Sequence, residues 1–318
     1  QLMFPLNVSI LLRHLRSEIL YPNLLSDVLE IAWYILAFGL LAIGTASKCF
    51  VMLREVLKYG KTSTSANPTT TTYLSYLYLP KSSFIHFYIV GITINFSILA
   101  LTWQTQYPGV LPILFQLHLY RRLYECIYIH TFSDAKINVA HYIFGILFYV
   151  LVPLTFHTLS VTIDTNTTNS NWSVFLFCLG LLIVILSSYE QFCVHHILAN
   201  LRQRKEGYNK LFVEKQKNYF IPYGHLFYYV SSPHYTCEIF LYLGFSLIAL
   251  SYPQQQHRNT DLYPFTNVSL AFRLCQGFVL VVLINLNLSS NETHEWYELR
   301  FGDKYKRLKR KRLIPFFW

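Results

Sequence analysis

Residues 172–198 read Trp172-Ser-Val-Phe-Leu-Phe-Cys-Leu-Gly180-Leu-Leu-Ile-Val-Ile-Leu-Ser-Ser-Tyr-Glu190-Gln-Phe-Cys-Val-His-His-Ile-Leu198. About 20 consecutive apolar residues are enough for an α-helix to cross the hydrocarbon core of a bilayer. Working outward from this stretch, the same texture recurs at 28–53, 84–103, 111–130, 138–160, 235–251 and 264–288, with 226–234 a candidate extension of the sixth span. The pattern predicts an all-α integral membrane protein of about seven transmembrane helices in a single structural domain.

Composition agrees. The 318 residues are 53% hydrophobic and only 13% charged, with 25 Tyr and 25 Phe, against roughly 25% charged for a soluble domain. Too little polar surface exists to cover a soluble core of this size, which excludes a cytosolic globule, a disordered chain and a secreted disulfide scaffold. The six cysteines, Cys49, Cys126, Cys178, Cys193, Cys237 and Cys275, fall inside or at the edge of apolar blocks, and none forms a CxxC pair. They read as buried apolar fillers, and no metal is expected. The chain begins at Gln1, which leaves room for a short leader, and its first 25 residues resemble an interfacial or first membrane segment rather than a cleavable signal.

The net charge of +10 is confined to alternate connections, which argues against a nucleic-acid partner. Arg54, Lys58, Lys61 and Lys81 form one basic group, and Arg121, Arg122 and Lys136 a second. The 202–217 loop and the tail from Arg300 to Arg312 form the others, whereas the opposite connections hold only Arg13, Arg16 and Arg258. The positive-inside rule puts the basic set and the C-terminus in the cytosol. Two glycosylation sequons, Asn166-Thr-Thr and Asn171-Trp-Ser, fall on the loop that charge places in the lumen. Asn95-Phe-Ser lies inside a span and is read as accidental.

The twelve glycines are never closer than five residues, so neither GxGxxG nor a Walker loop is present, and HExxH is absent. Attention passes to polar side chains in the membrane, which are costly and usually functional. The third span ends His118-Leu-Tyr-Arg121-Arg122-Leu-Tyr-Glu125, a His–Arg–Glu stripe in which Arg121 and Glu125 pair at i,i+4 and Glu125 needs a buried partner. In Ile221-Pro222-Tyr-Gly-His through Ser-Ser-Pro233-His234-Tyr235-Thr-Cys-Glu238, the two prolines bend the chain as it enters the membrane. Tyr59-Gly60-Lys61, His86 with Tyr88, and the His294 to Tyr297 segment with its basic tail complete the set. His195-His196 is a weak candidate, because adjacent helical residues diverge by about 100°. The four clusters, 59–62 taken with 86–88, then 118–130, 219–238 and 294–312, all map near the cytosolic face, where a cationic mouth suits a phosphate-bearing cofactor and the bilayer admits a lipid substrate.

At these residues the chain resembles the steroid 5-alpha-reductase family, most closely its polyprenol reductase branch. Arg121-Arg122-Leu-Tyr-Glu125-Cys, His130-Thr-Phe-Ser133, Ile221-Pro-Tyr-Gly, Val230-Ser-Ser-Pro-His-Tyr235-Thr-Cys-Glu238 and Leu313-Ile-Pro315-Phe-Phe carry the likeness, from about Tyr59 to the C-terminus. The resemblance implies a multi-pass enzyme of the endoplasmic reticulum membrane that uses NADPH to reduce an α,β-unsaturated polyisoprenoid lipid, polyprenal or polyprenol. It sets the chain in dolichol synthesis for protein N-glycosylation, with room for a partner dehydrogenase of that pathway. It implies Tyr235 as proton donor, with His86 and Tyr88 near the place of a catalytic glutamate in the steroid branch. By the same matching Tyr59, Arg122, Arg202, Tyr219, His234, Glu238, His294 and Tyr297 would hold NADPH. Residues 1–110 then supply N-terminal membrane segments and 111–318 the reductase region. His234 stands where the family usually has Asn, and Leu119 and Phe220 replace a tyrosine and an arginine of the steroid branch.

Three alternatives stay open. A very-long-chain trans-2-enoyl-CoA reductase and a 3-oxo-5-alpha-steroid 4-dehydrogenase share the chemistry. A seven-span receptor or transporter does not, and would not need polar clusters gathered on one face or would show repeat halves.

Overall fold

The computed structural model describes residues 23–47, 78–103, 109–132, 136–161, 170–208, 219–252 and 269–316. In chain order its helices are α1 (Asn23–Ala46), α2 (Phe84–Thr102), α3 (Val110–Tyr124), α4 (Val139–Val161), α5 (Asn171–Tyr208), α6 (Pro233–Ser251), α7 (Leu270–Phe301) and the short α8 (Asp303–Lys306). Six of them, all except α3 and α8, are long and apolar enough to cross a membrane. The span expected at 111–130 corresponds to α3, which has only 15 residues and a polar stripe and so falls short of that measure in both length and hydropathy, although a π turn continues it to Ile129. The molecule is a helical membrane protein of the architecture expected.

Each expected span corresponds to a helix, with shifted boundaries. Helix α1 begins at Asn23, ahead of the expected 28, and residues 48–53 and 264–268 lie outside the described residues. Of residues 226–234 only Pro233 and His234 extend the sixth span, Pro233 occupying the first turn of α6, where its missing N–H costs nothing. Both α5 and α7 run well beyond their apolar stretches, to Tyr208 and Phe301. In α7 the polar run after Leu288 stays helical, and Ser289 and Ser290 satisfy their hydroxyls inside it by donating to the carbonyls of Asn285 and Asn287. Two three-residue strands, β1 (Tyr78–Pro80) and β2 (Lys136–Asn138), pair antiparallel just before α2 and α4.

Helix α5 lies along α6, α1 along α7, and α2 along both α3 and α4. Between α5 and α6 the backbones touch. A Cβ at Gly180 would stand 2.7 Å from the Gly244 carbonyl oxygen, and one at Gly244 would stand 2.9 Å from that of Gly180. Small residues allow this approach where lipid offers no hydrophobic drive for helix association. The centre is aromatic: Phe156 packs edge-on against Phe115, Phe245 and Phe278 at 5.1–5.7 Å. Several polar side chains in the helix interfaces are paired across helices, where lipid cannot satisfy them. Trp33 Nε1 donates to Thr155 Oγ1 at 2.9 Å, Asn95 Nδ2 to Gln116 Oε1 at 2.6 Å, and Arg273 Nε to Glu30 at 3.0 Å. Asn95 is therefore interior, in keeping with its sequon being accidental. Among the described cysteines, Cys126, Cys237 and Cys275 are buried fillers, whereas Cys178 is exposed on α5.

Candidate functional site

The stripe on α3 is the centre from which the site is built. Beyond Tyr124 the helix widens into a π turn, Glu125–Ile129, closed by His130 N–H donating to the Glu125 carbonyl at 2.8 Å. Such turns recur at functional sites. Glu125 is fully buried and accepts from both Arg121 and Arg122, so the buried partner that its apolar surroundings demand is supplied twice. A third donor comes from α5, where His195 Nδ1 lies 2.8 Å from Glu125 Oε2.

From this centre the network reaches two ways. Arg122 Nη2 donates to the Tyr88 hydroxyl on α2 at 2.7 Å. Arg121 Nη2 donates to Gln191 Oε1 at 2.5 Å, and Gln191 Nε2 in turn donates to Glu238 on α6. Four helices are thus joined by one chain of charge-assisted bonds, stronger and more directional than neutral ones. Glu125, His130 and His195 each place a ligand atom within 4.8 Å of the others, a spacing fit for a metal ion. A dication there would face two guanidinium groups already paired to the same carboxylate, so the trio reads as part of the ion-pair network.

Beside the network lies a cavity of about 170 Å³. Its lining combines polar side chains, Tyr88, Arg122, Gln191, His195, His234, Tyr235 and Glu238 among them, with apolar ones from α2, α4 and α7, chiefly Phe84, Phe87, Phe144, Phe148, Val281, Val282 and Leu286, and with the polar groups of His141, Tyr149, Tyr242 and Asn285 among these. Small-molecule sites are of roughly 300–1,000 Å³, so this space is too small for a whole dinucleotide or long lipid and has room for the end of one.

Residues 219–232 form an irregular segment that delivers α6 to this cavity. Gly224 (φ 102°) and His225 (φ 48°) turn it, and Glu190 on α5 clamps it by accepting from Leu226 N–H at 3.0 Å and meeting His225 Nδ1 at 3.0 Å. The tail completes it: Ser231 N–H donates to the Lys311 carbonyl at 2.9 Å, and Lys311 N–H to that of Tyr229 at 2.8 Å. The polar backbone is thus satisfied where the chain breaks.

Next to this segment is a second, aromatic and cationic cluster. Tyr297 stacks on Tyr305 at 5.0 Å, and Tyr219 meets Trp296 edge-on at 4.8 Å. Tyr305 donates to Ser231 Oγ at 2.6 Å, which is 2.6 Å from His294 Nδ1. Burial pushes the Tyr305 phenol up. Arg202 donates to the Thr131 carbonyl and lies within electrostatic reach of Tyr219 and Tyr297. Arg310 is sandwiched between the rings of Tyr223 and Tyr305 at 4.9 and 5.7 Å, and its buried Nη1 has no hydrogen-bond partner among the described residues.

The expected site residues therefore fall into two groups. Tyr88, Arg122, His234, Tyr235 and Glu238 share the cavity; Arg202, Tyr219, His294 and Tyr297 belong to or border the second cluster. His86 does neither: it is exposed and bonded to the Tyr142 hydroxyl at 3.0 Å. Tyr59 lies outside the described residues. The sequence reading left out Gln191 and Glu190 and took the His195-His196 pair only as a weak candidate. Of the two adjacent histidines, His196 points outward as the 100° divergence requires, but His195 is buried. The missed signal is the four-residue spacing Ser187, Gln191, His195, a buried polar line inside an apolar helix.

Comparison with known proteins adds a lineage to this geometry. The family model for 3-oxo-5-alpha-steroid 4-dehydrogenase matches residues 135–273 and 261–318. A polyprenal reductase of Homo sapiens is 30% identical, with 88% of this chain and 90% of the relative aligned. Polyprenal reductases of Xenopus tropicalis (28%; 83% and 88%) and Danio rerio (26%; 91% and 98%) are similar over comparable lengths.

Proposed function

Because the chain belongs to the 3-oxo-5-alpha-steroid 4-dehydrogenase family, we propose that this reductase saturates the α-isoprene double bond of polyprenal, with NADPH, in the endoplasmic reticulum membrane. The C-terminus is cytosolic in this reading, and the product feeds dolichol synthesis. The observation that carries it is a cavity whose lining includes both an arginine-bonded tyrosine and a set of apolar, aromatic side chains.

The second cluster fits a dinucleotide. A buried Arg310 with an orphaned Nη1 and no ion pair among the described residues suits a phosphate, and the half-buried Tyr219 and Trp296 are the rings of the cluster left partly open, Tyr297 being stacked between Tyr305 and Phe301. Arg202 and His294 border the same place, and His234 and Glu238 would meet the end that reaches the cavity. Arg122 is committed to Glu125 and Tyr88 and is better cast as orienting the tyrosine than as gripping phosphate. When bound, NADPH supplies the hydride that adds to the β-carbon of the enal.

The chain's own task is to stabilise the negative charge that develops on the carbonyl oxygen and to provide a proton. Tyr88 suits the first role: its oxygen accepts from Arg122, which stabilises a developing phenolate and strengthens the phenol as a donor. Tyr235, partly buried in the lining of the same cavity with the His234 ring 4.1 Å away, suits delivery of a proton to the α-carbon. The apolar part of the lining holds the first isoprene units and keeps water out.

The test is turnover by purified protein in detergent with NADPH, on polyprenal and a long-chain trans-2-enoyl-CoA side by side. NADPH oxidation with saturation of the polyprenal α-double bond supports the proposal. Turnover of the enoyl-CoA alone moves the protein to fatty-acid elongation.

A further inference from the structure

Between α2 and α4 the apolar part of the lining has an unusual construction. The Phe87 ring lies directly over Gly145, where an added Cβ would stand 2.6 Å from Cζ and 2.8 and 2.9 Å from the two Cε atoms. One turn further along, Tyr149 and Leu119 cover Gly91 at 3.1 and 3.2 Å. Each helix thus seats an aromatic ring of its neighbour on a glycine, and the two rings, Phe87 and Tyr149, lie nearly parallel at 6.1 Å and 16°.

Phe87 and Gly145 both line the cavity. The ring is only 3% exposed, and its other sides are occupied by Phe84 at 5.1 Å, Tyr142 at 5.4 Å and Tyr149. A side chain at 145 would have to push the ring by about 1 Å to reach ordinary contact distance. With three sides filled, the open direction is into the cavity. Gly145 therefore widens the apolar arm by letting Phe87 recede.

We propose that Gly145 is a specificity-determining residue, and that the recess it gives Phe87 is what admits a methyl-branched unsaturated chain in preference to an unbranched one. An isoprenoid is wider than a polymethylene chain by its methyl branch, the dimension that the recess controls. This rests on the reading of the cavity as the site of an enal reductase.

The experiment compares kcat/KM for farnesal and trans-2-dodecenal, which share a main-chain length and differ in farnesal's methyl branches and its two further double bonds, so that the change in their ratio between variants reads the recess. Wild type prefers farnesal. Gly145→Ala lowers farnesal turnover by about tenfold, the scale on which a pocket reads a methylene, and leaves dodecenal within twofold, which also reports that the variant is folded. Adding Phe87→Leu to Gly145→Ala restores farnesal. Should Gly145→Ala not fold, Phe87→Leu alone carries the test, because a wider arm holds the straight chain less well and shifts the ratio further toward farnesal. Equal loss on both substrates, or an unchanged ratio in both variants, overturns the inference and leaves the reductase reading standing. Absence of saturable turnover or binding of either aldehyde by wild type overturns both.

Discussion

Glu125 is the residue at which structure and activity are most closely tied, and its replacement gives a graded prediction. The carboxylate is fully buried and is the common acceptor for Arg121, Arg122 and His195. Removing one partner of a buried ion pair costs about 3–5 kcal/mol, because the other charge is left uncompensated. The two arginines are not equally stranded. Arg121 is the more exposed, with 19% of its side chain accessible against 11% for Arg122, and it keeps its bond to Gln191. Glu125→Gln should therefore destabilise mainly through Arg122, near the lower end of that range. At roughly 2–4 °C per kcal/mol for a large domain, the midpoint should fall by about 6–12 °C. The assay is thermal unfolding in detergent, followed by tryptophan fluorescence. Replacing the pair by apolar residues, Glu125→Leu with Arg122→Met, should recover most of the stability, since well-packed isosteres often match a buried pair. It should not recover turnover, because Tyr88 loses the guanidinium that orients it. A Glu125→Gln protein as stable as wild type would refute the reasoning, as would a double variant no more stable than the single one.

Three further outcomes follow from the same geometry. Tyr88→Phe should cut kcat by about 100-fold or more, the scale of losing one oxyanion donor, while His86→Phe should change it by less than about threefold; equal effects in stopped-flow NADPH oxidation would remove Tyr88 from the chemistry. Tyr235→Phe should reduce turnover much more than NADPH affinity measured by fluorescence titration, and a parallel loss of both would move Tyr235 from proton delivery to cofactor grip. Glycan, read as an endoglycosidase-sensitive mobility shift, should be carried at Asn166 rather than Asn171. Asn171 is the first residue of α5, with the apolar run starting at Trp172, and so lies at the membrane surface; accessibility of residues 162–169 to protease from the cytosolic side would invert the topology.

How much of this was legible before any coordinates depends on which surface of a helix the sequence reports. Hydropathy reports the lipid-facing surface, and it located α1, α2 and α4–α7 because any apolar residue serves against lipid. It could not follow α7 beyond Leu288, where the sequence turns polar, because that length is held by particular partners: His294 by Ser231, Tyr297 by Tyr305, Trp296 by Tyr219. The strands β1 and β2, three residues each with Lys136 and Asn138 in one of them, carry too little alternation to be seen. Charge in apolar surroundings was legible, since Glu125 had to be paired somewhere, and the i,i+4 rule named Arg121. That rule could not reach Arg122 and His195, one a closer neighbour on the same turn and the other on a different helix.

The separation of His86 from Tyr88 is the same lesson at the scale of two residues. On a helix they differ by about 200°, so only one can face the cavity, and the side is decided by what α2 packs against. Phe87 lies between them in sequence and seats itself on Gly145 of α4, which turns Tyr88 toward Arg122 and leaves His86 exposed beside Tyr142. A glycine is silent in a hydropathy profile, yet here it seats a ring of the neighbouring helix, and the rotation of α2 that goes with that contact is the one that turns Tyr88 rather than His86 to the cavity. Register between helices, set by such small residues, is the information that composition and periodicity lack and that the packed structure supplies.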